Sequence, residues 1–156
     1  MKIRKAILKD LKQIQELNYK LCKKELDEFD KTINEKFPLS EQGKEYFKNR
    51  IKKDNGFAYV AEDKGKIGGY LVGGLAKTEF YRNIKKIAEA ENAFVLPEYR
   101  SKGIGSKLIN EFIEWSKYNN VQRIRAVISA LNHLSIKFHK KHGFEEYDIV
   151  MEKELK

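Results

Sequence analysis

Cysteine is nearly absent from this chain of 156 residues, where Cys22 stands alone. A single thiol excludes an internal disulfide framework and a cluster of thiolates on a metal. On a helix, Cys22 reads as a small apolar residue and not as a reactive thiol. Also missing is any run near the roughly 18 apolar residues that a membrane-spanning helix needs. The opening MKIRKAILKD lacks the apolar core of a signal peptide, which predicts a cytoplasmic protein without a membrane partner. Repeats, low-complexity tracts and linkers are absent too, so a single domain over 1–156 is expected. Arginine is scarce, 6 residues against 26 lysines. Base readout favours arginine, and no recognition motif accompanies the charge, so nucleic acid is disfavoured as a partner.

What is present is a soluble, globular balance, 41% apolar and 35% charged. The net charge of +9 suits an anionic partner such as a small polyanionic cofactor, or simply a solvated lysine surface. KIRKA (2–6) reads as a first strand. Asp10 is the expected N-cap of a helix over about 11–26, with Gln13 completing a capping box and Leu11, Ile14, Leu17 and Leu21 on its buried face. Residues 27–39 break the period and concentrate acid at Asp27, Glu28, Asp30 and Glu35. Two readings stand for it, a solvated loop or a mouth that attracts a cationic substrate. Ser40 predicts the cap of a second helix near 41–53, where Tyr46, Phe47, Arg50 and Ile51 share a face.

Strands follow near 57–62 and 67–76, joined by a turn at Asp63-Lys64-Gly65-Lys66. Another strand is expected over about 86–96, closed by Pro97. The helix after it runs to about Tyr118, with Ile104, Leu108, Ile109, Phe112, Ile113 and Trp115 on one broad apolar face. RIRAVIS (123–129) is the next strand, which makes a parallel βαβ unit. Asn132 opens a last helix ending at His142-Gly143, and Phe144 to Leu155 supplies a final strand. The class is α+β.

Between strand and helix lies Arg100-Ser101-Lys102-Gly103-Ile104-Gly105. A helix N-terminus offers unpaired N–H groups and partial positive charge, and two glycines let the main chain approach an anion closely. The spacing is not that of a P-loop, and a third glycine or alanine for a dinucleotide fingerprint is missing. With Val95-Leu96-Pro97-Glu98-Tyr99 before it, the stretch resembles the cofactor motif of the GNAT superfamily of acetyl-coenzyme-A-dependent N-acetyltransferases, [RQ]-x-x-G-x-[GA] after a strand and opening a helix. A second motif of that family matches Asn132, Ser135, Phe138-His139 and Gly143-Phe144.

The resemblance implies a mixed, splayed sheet with about four helices, and acetyl-coenzyme A as co-substrate without a metal. Residues Ser101 to Ser106, including Lys102 and Ile104, would hold the pyrophosphate beside Arg100. The backbone of Phe94 and Val95 would pair with the pantetheine arm, and Asn132 and Ser135 would reach it from the next strand end. Glu91, four residues before Val95, is where diamine acetyltransferases of this family carry a catalytic glutamate, so it is the candidate base. Glu89 would assist or bind substrate charge, as would Asp27, Glu28 and Asp30 if the acidic segment is a mouth. The family's usual tyrosine acid is replaced by His139, either an imidazolium acid or a packing residue. The acceptor so implied is a primary amine of polyamine-like or other cationic character, attacking directly in a ternary complex. A protein or peptide acceptor, or a catalytically weak coenzyme A sensor, are the alternatives. The short tail after Gly143 leaves room for one closing strand where two are usual, and a free edge predicts pairing in a homodimer.

Overall fold

The turn Lys64-Gly65 joins strands β2 (Gly56–Asp63) and β3 (Lys66–Ala76) in a computed structural model that describes residues 1–156. Both turn residues have positive φ, 49° and 84°, the backbone of a two-residue hairpin whose twist matches its strands. β1 (Lys2–Lys5) adds antiparallel to β2, and β4 (Ile87–Val95) adds antiparallel to β3. β5 (Arg123–Arg125) joins β4 in parallel, giving the order β1-β2-β3-β4-β5. Four α-helices complete the mixed α+β architecture: α1 (Leu11–Glu28), α2 (Glu41–Lys52), α3 (Ile104–Tyr118) and α4 (His133–Lys141).

The sheet is covered on both faces. Ile14 and Leu17 of α1 and Phe47 and Ile51 of α2 pack with Val60, Tyr70 and Val72 on one side. Ile104, Leu108, Ile109 and Phe112 of α3 pack with Phe57, Ala61, Leu71 and Ala88 on the other. Each large side chain so buried stabilises the fold by about 1.5–3 kcal/mol before entropy is counted. The apolar face expected for α3 is therefore the buried one. No helix is long and apolar enough to cross a membrane.

Two features of β4 position the site. Its pairing with β5 has three rungs, Ile87↔Arg123, Ala88↔Ile124 and Glu89↔Arg125, so residues 90–95 continue with no strand on that side. The strands splay there. On its other side the register jumps, with Val72 opposite Asn92 and Gly73 opposite Ala90, which leaves Glu91 as the extra residue of a β-bulge. A Cβ on Gly73 would lie 2.1 Å from the Glu89 carbonyl oxygen, so only glycine lets the bulged strand close in.

Several expectations need correction. Asp10 is not a side-chain cap of α1: its carboxylate takes Ile7 N–H (2.8 Å) and an Arg4 ion pair (2.7 Å), and Gln13 instead bonds the backbone of Gly65 and Ile67. The helix runs two residues further than expected, which puts Asp27 and Glu28 in its last turn. β5 stops at Arg125, short of Ser129. The closing strand does not form, because beyond Phe144 no backbone group finds a hydrogen-bond partner.

Candidate active site

The loop before α3 is built from backbone that side chains disfavour. Ser101 (φ 59°) and Gly103 (φ 74°) are both left-handed, and a Cβ at Gly103 would meet nothing within 4 Å. Such a winding turns successive N–H groups to one side, a nest for an anion. None of the N–H groups of residues 101–106 makes a hydrogen bond, and Gly103 caps α3 without a side chain. The row of free donors coincides with the positive end of a four-turn helix. The residues present fit a pyrophosphate.

Arg100 and Lys102 play a different part from the one their charge suggests. Arg100 Nε donates to the Val95 carbonyl (2.8 Å) and its guanidinium lies 5.3 Å from the Phe94 ring centroid. Lys102 Nζ donates to the Glu98 carbonyl (3.1 Å). Arg100 ties the loop to the end of β4, and Lys102 ties it to the turn Pro97–Tyr99. Leu96 N–H bonds the Gly68 carbonyl of the β3 side (2.8 Å), so alternation turns the backbone of Phe94 toward β3 and that of Val95 and Ala93 into the splay. The expected pantetheine-facing backbone therefore shifts from Phe94 and Val95 to Ala93 and Val95, with the Val95 carbonyl already taken by Arg100.

The second motif lies against the first. A Cβ on Gly105 would come within 3.3 Å of Phe138, so this glycine admits α4 to the first turn of α3. Asn132 caps α4 by accepting Ser135 N–H (3.1 Å), leaving its amide NH2 free to donate outward. His139 Nδ1 sits 2.8 Å from the Ser135 carbonyl, and its ring packs edge-on to Phe138 and Phe144. A carbonyl accepts, so Nδ1 carries the proton of the neutral ring and Nε2 presents a lone pair. Burial pushes the His139 pKa down, against the Ser135 carbonyl, which raises it. The resting imidazole is thus an acceptor at Nε2, which suits the packing residue of the two expectations for His139 better than the imidazolium acid.

Glu91 is the centre of a polar cluster on the α1/α2 face. Ala88 and Ala90 pack toward α3, so Glu89 and Glu91 share the opposite face as alternation required. The bulge adds Asn92 to it. Arg50 grips both carboxylate oxygens of Glu91, with Nε 2.9 Å from Oε2 and Nη2 on Oε1, and the Tyr46 hydroxyl donates to Oε2. Asn92 donates to Tyr46 Oη (3.0 Å) and accepts from Asn18 (3.2 Å), which also donates to buried Tyr70 Oη (2.6 Å). Burial, reinforced by the Glu91 charge, raises the Tyr46 pKa, so Tyr46 remains a donor. Burial pushes the Cys22 thiol up to about 11, which removes the reactive-thiol reading. A carboxylate has about four acceptor positions; three are filled here, and the Glu91 side chain retains 17% exposure for a fourth partner.

Asn18 and Asn92 escaped the sequence reading, and Tyr46 and Arg50 entered it only as sharers of a helical face. The available signal was Arg50 on the same helical face as Phe47 and Ile51, a charge that had to find a buried partner. The other acidic candidates are held elsewhere. Glu89 accepts from Arg125 Nε (2.6 Å). Asp27 and Glu28 pair with Lys23 and Lys24 one turn back (3.3 Å each), and Asp30 folds onto Thr32 (2.9 Å to the N–H). The contacts of Asp27, Glu28 and Asp30 do not converge on Glu91. His, Cys, Asp and Glu side chains form no group of three that could hold a metal ion.

The model of the acetyltransferase (GNAT) family matches residues 19–144. The chain belongs to the GNAT family. An uncharacterized N-acetyltransferase of Methanocaldococcus jannaschii is 35% identical over 107 residues, which is 67% of this chain and 46% of that protein. The chain thus spans about half the length of that relative. Among solved structures, a mutant protein from Bacillus halodurans superposes with a TM-score of 0.86 at 22% identity, covering 99% of both chains. An aminoglycoside N-acetyltransferase in complex with CoA superposes with a TM-score of 0.75 at 18% identity, again over 99% of both. At such identities the likeness is one of fold. It is the GNAT fold, with the nest at the start of α3 and the splay beside β4.

Proposed function

We propose that this GNAT protein transfers an acetyl group from acetyl-coenzyme A to a primary amine of a small cationic acceptor. The observation that carries the reading is the row of unbonded N–H groups over residues 101–106, at a helix N-terminus and beside a strand whose free edge can take an extended amide chain. Pyrophosphate on the nest and pantetheine along Ala93 and Val95 would place the thioester in the splay, near Glu91 on β4. The aminoglycoside N-acetyltransferase in complex with CoA lends support for a polycationic acceptor.

The acceptor nitrogen attacks the thioester carbonyl, the C–S bond breaks, and coenzyme A leaves as a thiolate. An alkylammonium of pKa about 10.4 must first lose a proton, at about 4–5 kcal/mol at pH 7, whereas a thiol of pKa about 8.5 leaves with little help. Assistance is therefore needed on the amine side. In this reading the open position on Glu91 receives an acceptor N–H. Arg50 and Tyr46 hold the carboxylate aimed at the acceptor, which suits binding an ammonium, and the proton passes on to water. His139 contributes packing beside the cofactor, and water protonates the thiolate.

A second reading has one specific observation behind it. Both oxygens of Glu91 are already occupied by Arg50, which suits a protein that binds coenzyme A and turns over slowly, as a sensor would. Calorimetric titration with acetyl-coenzyme A, followed by a thiol-release screen over amines, separates the two. Thiol release with a cationic amine is the expected result. Binding without release from any amine supports the sensor, and no binding at millimolar acetyl-coenzyme A overturns both.

A further inference from the structure

Apart from the nest and the Glu91 cluster, the N-terminal parts of α1 and α2 enclose a groove of about 450 Å³. Its other walls are two single helical turns, Leu8–Asp10 and Phe37–Leu39, which precede those helices. Leu8, Leu11 and Leu39 give it an apolar lining. Leu11 is half-buried against the core, whereas Leu8 (46%) and Leu39 (54%) stay open to solvent. Lys9, Lys12 and Lys44 complete the lining against a single acid, Glu16.

The walls are tied to one another. Gln15 Nε2 donates to the Pro38 carbonyl (2.7 Å), which joins α1 to the second turn. A Cβ on Gly43 would lie 2.1 Å from the Phe37 carbonyl oxygen, so only glycine lets α2 close on that turn. Ser40 Oγ donates to the same carbonyl (2.6 Å), and Asp10 holds the first turn by accepting Ile7 N–H (2.8 Å) and an Arg4 ion pair. The cations, by contrast, are left over. Lysine ion pairs are made by Lys23, Lys24, Lys48, Lys66, Lys117 and Lys140, so Lys9, Lys12 and Lys44 have no carboxylate of their own. Apolar lining and uncompensated positive charge meet in one preformed hollow.

We propose that this groove binds a medium-chain alkyl carboxylate, with its chain on the three leucines and its carboxylate among the three lysines. A volume of about 450 Å³ lies within the range of small-molecule sites, and it suits a chain on the order of ten carbons. Charge selects the head group: three cations against one acid favour a carboxylate over an amine. The leucines select for the chain, since acetate would leave them wet. An extended peptide finds no partner for its main chain, because every wall is helical and no strand lines the groove. A lipid surface is flat, and half-buried Leu11 lies in a hollow. No lining residue belongs to the nest or to the Glu91 cluster, so the site is separate from the one that would transfer the acetyl group.

The test is calorimetric titration of the full chain with decanoate below its micelle-forming concentration, with amide NMR spectra to locate it. Decanoate is expected to bind about tenfold more tightly than acetate or decylammonium, and to shift the amides of Leu8, Leu11 and Leu39. Lys12→Glu and Lys44→Glu together should weaken it by about tenfold, as should Leu39→Asn alone. The pair Lys53→Glu and Lys64→Glu makes the same change of net charge outside the groove and should leave the affinity as it was. All of these side chains are exposed, so circular dichroism should not change in any variant. No binding of decanoate at millimolar concentration overturns the proposal. So do acetate or decylammonium binding as tightly, shifts confined to residues 101–106, or equal losses in the two charge pairs. Capture of phosphatidylglycerol vesicles, or of an acidic peptide with apolar side chains, by a chain that ignores decanoate would overturn it in favour of a membrane or a protein partner. These readouts need no acetyl-coenzyme A, so they fail or succeed independently of the proposed activity.

Discussion

The guanidinium of Arg125 holds the Glu89 carboxylate at 2.6 Å on the last rung that β4 and β5 share. Past this pair the strands part, so the ion pair is a staple at the root of the splay. Glu79 adds a second carboxylate to Arg125 at 2.9 Å. Replacing the arginine by methionine leaves Glu89 without its cation and Glu79 with Arg82 alone (3.6 Å), and loosens the root. Arg125→Met is expected to weaken acetyl-coenzyme A binding by about tenfold and to speed amide hydrogen exchange at Ile124 and Arg125. Unchanged exchange at those two amides would show that the backbone pairing, and not the ion pair, sets the splay.

Gly103 and Gly65 form a matched pair for testing the nest. Both have φ in the left-handed region, 74° and 84°, and at both a Cβ would meet nothing within 4 Å. Alanine at either position should cost about 1 kcal/mol of stability through backbone strain alone. Calorimetry should then separate them, with Gly103→Ala losing acetyl-coenzyme A affinity and Gly65→Ala keeping it. Equal affinities would mean that the loop's main chain does not touch the ligand.

The Glu91 cluster predicts one shift in the pH–rate profile and one change in acceptor binding. Glu91→Gln removes the group that receives the acceptor N–H, so turnover should require higher pH, nearer the pKa of the free amine. Arg50→Met leaves the Glu91 carboxylate held by Tyr46 alone, so its aim is lost and the KM for the amine should rise by about tenfold. A pH–rate profile unchanged by Glu91→Gln would take Glu91 out of the amine site, and an unchanged KM in Arg50→Met would show that the guanidinium does not aim it.

His139 gives a stability prediction with a definite sign. Its pKa is lowered in the folded protein, chiefly by burial. Below about pH 6.5 the unfolded chain therefore binds a proton that the folded chain resists, and stability falls with acidity. Thermal melts of His139→Phe should show a shallower loss between neutral and mildly acidic pH than those of the unsubstituted protein. Turnover of His139→Phe should be retained across pH. Loss of activity in that variant with cofactor binding intact would restore the imidazole as the acid.

Local chemistry was legible in the sequence, and long-range register was not. Ser40 caps α2 through Gly43 N–H (3.0 Å), Asn132 caps α4, and Lys64-Gly65 turns the hairpin, because each is decided by residues a few positions apart. The glycine nest was readable for the same reason. The bulge at Glu91 depends on how β4 meets β3, so no property of the β4 stretch announced that Asn92 would join the same face. Arg50 and Tyr46 come from a helix about forty residues away. The acidic stretch misled because lysines one turn earlier on α1 already answer Asp27 and Glu28. The final strand was expected from alternation alone, and alternation makes a strand only where an edge accepts it, which residues 145–156 do not find.

The row Asn18, Asn92, Tyr46, Glu91 has a direction. Every link donates toward the carboxylate, and Glu91 terminates the row as its only pure acceptor. A proton on the Oε2 that Tyr46 addresses would set two donors face to face, and relief would demand that Tyr46 turn and the Asn92 amide flip. Asn18 is held by Tyr70 and by the Cys22 thiol (3.5 Å), so a reversal would reach into the packed centre of the molecule. The orientation of two amides, Asn18 and Asn92, is thereby tied to one carboxylate on β4 through packing far from solvent.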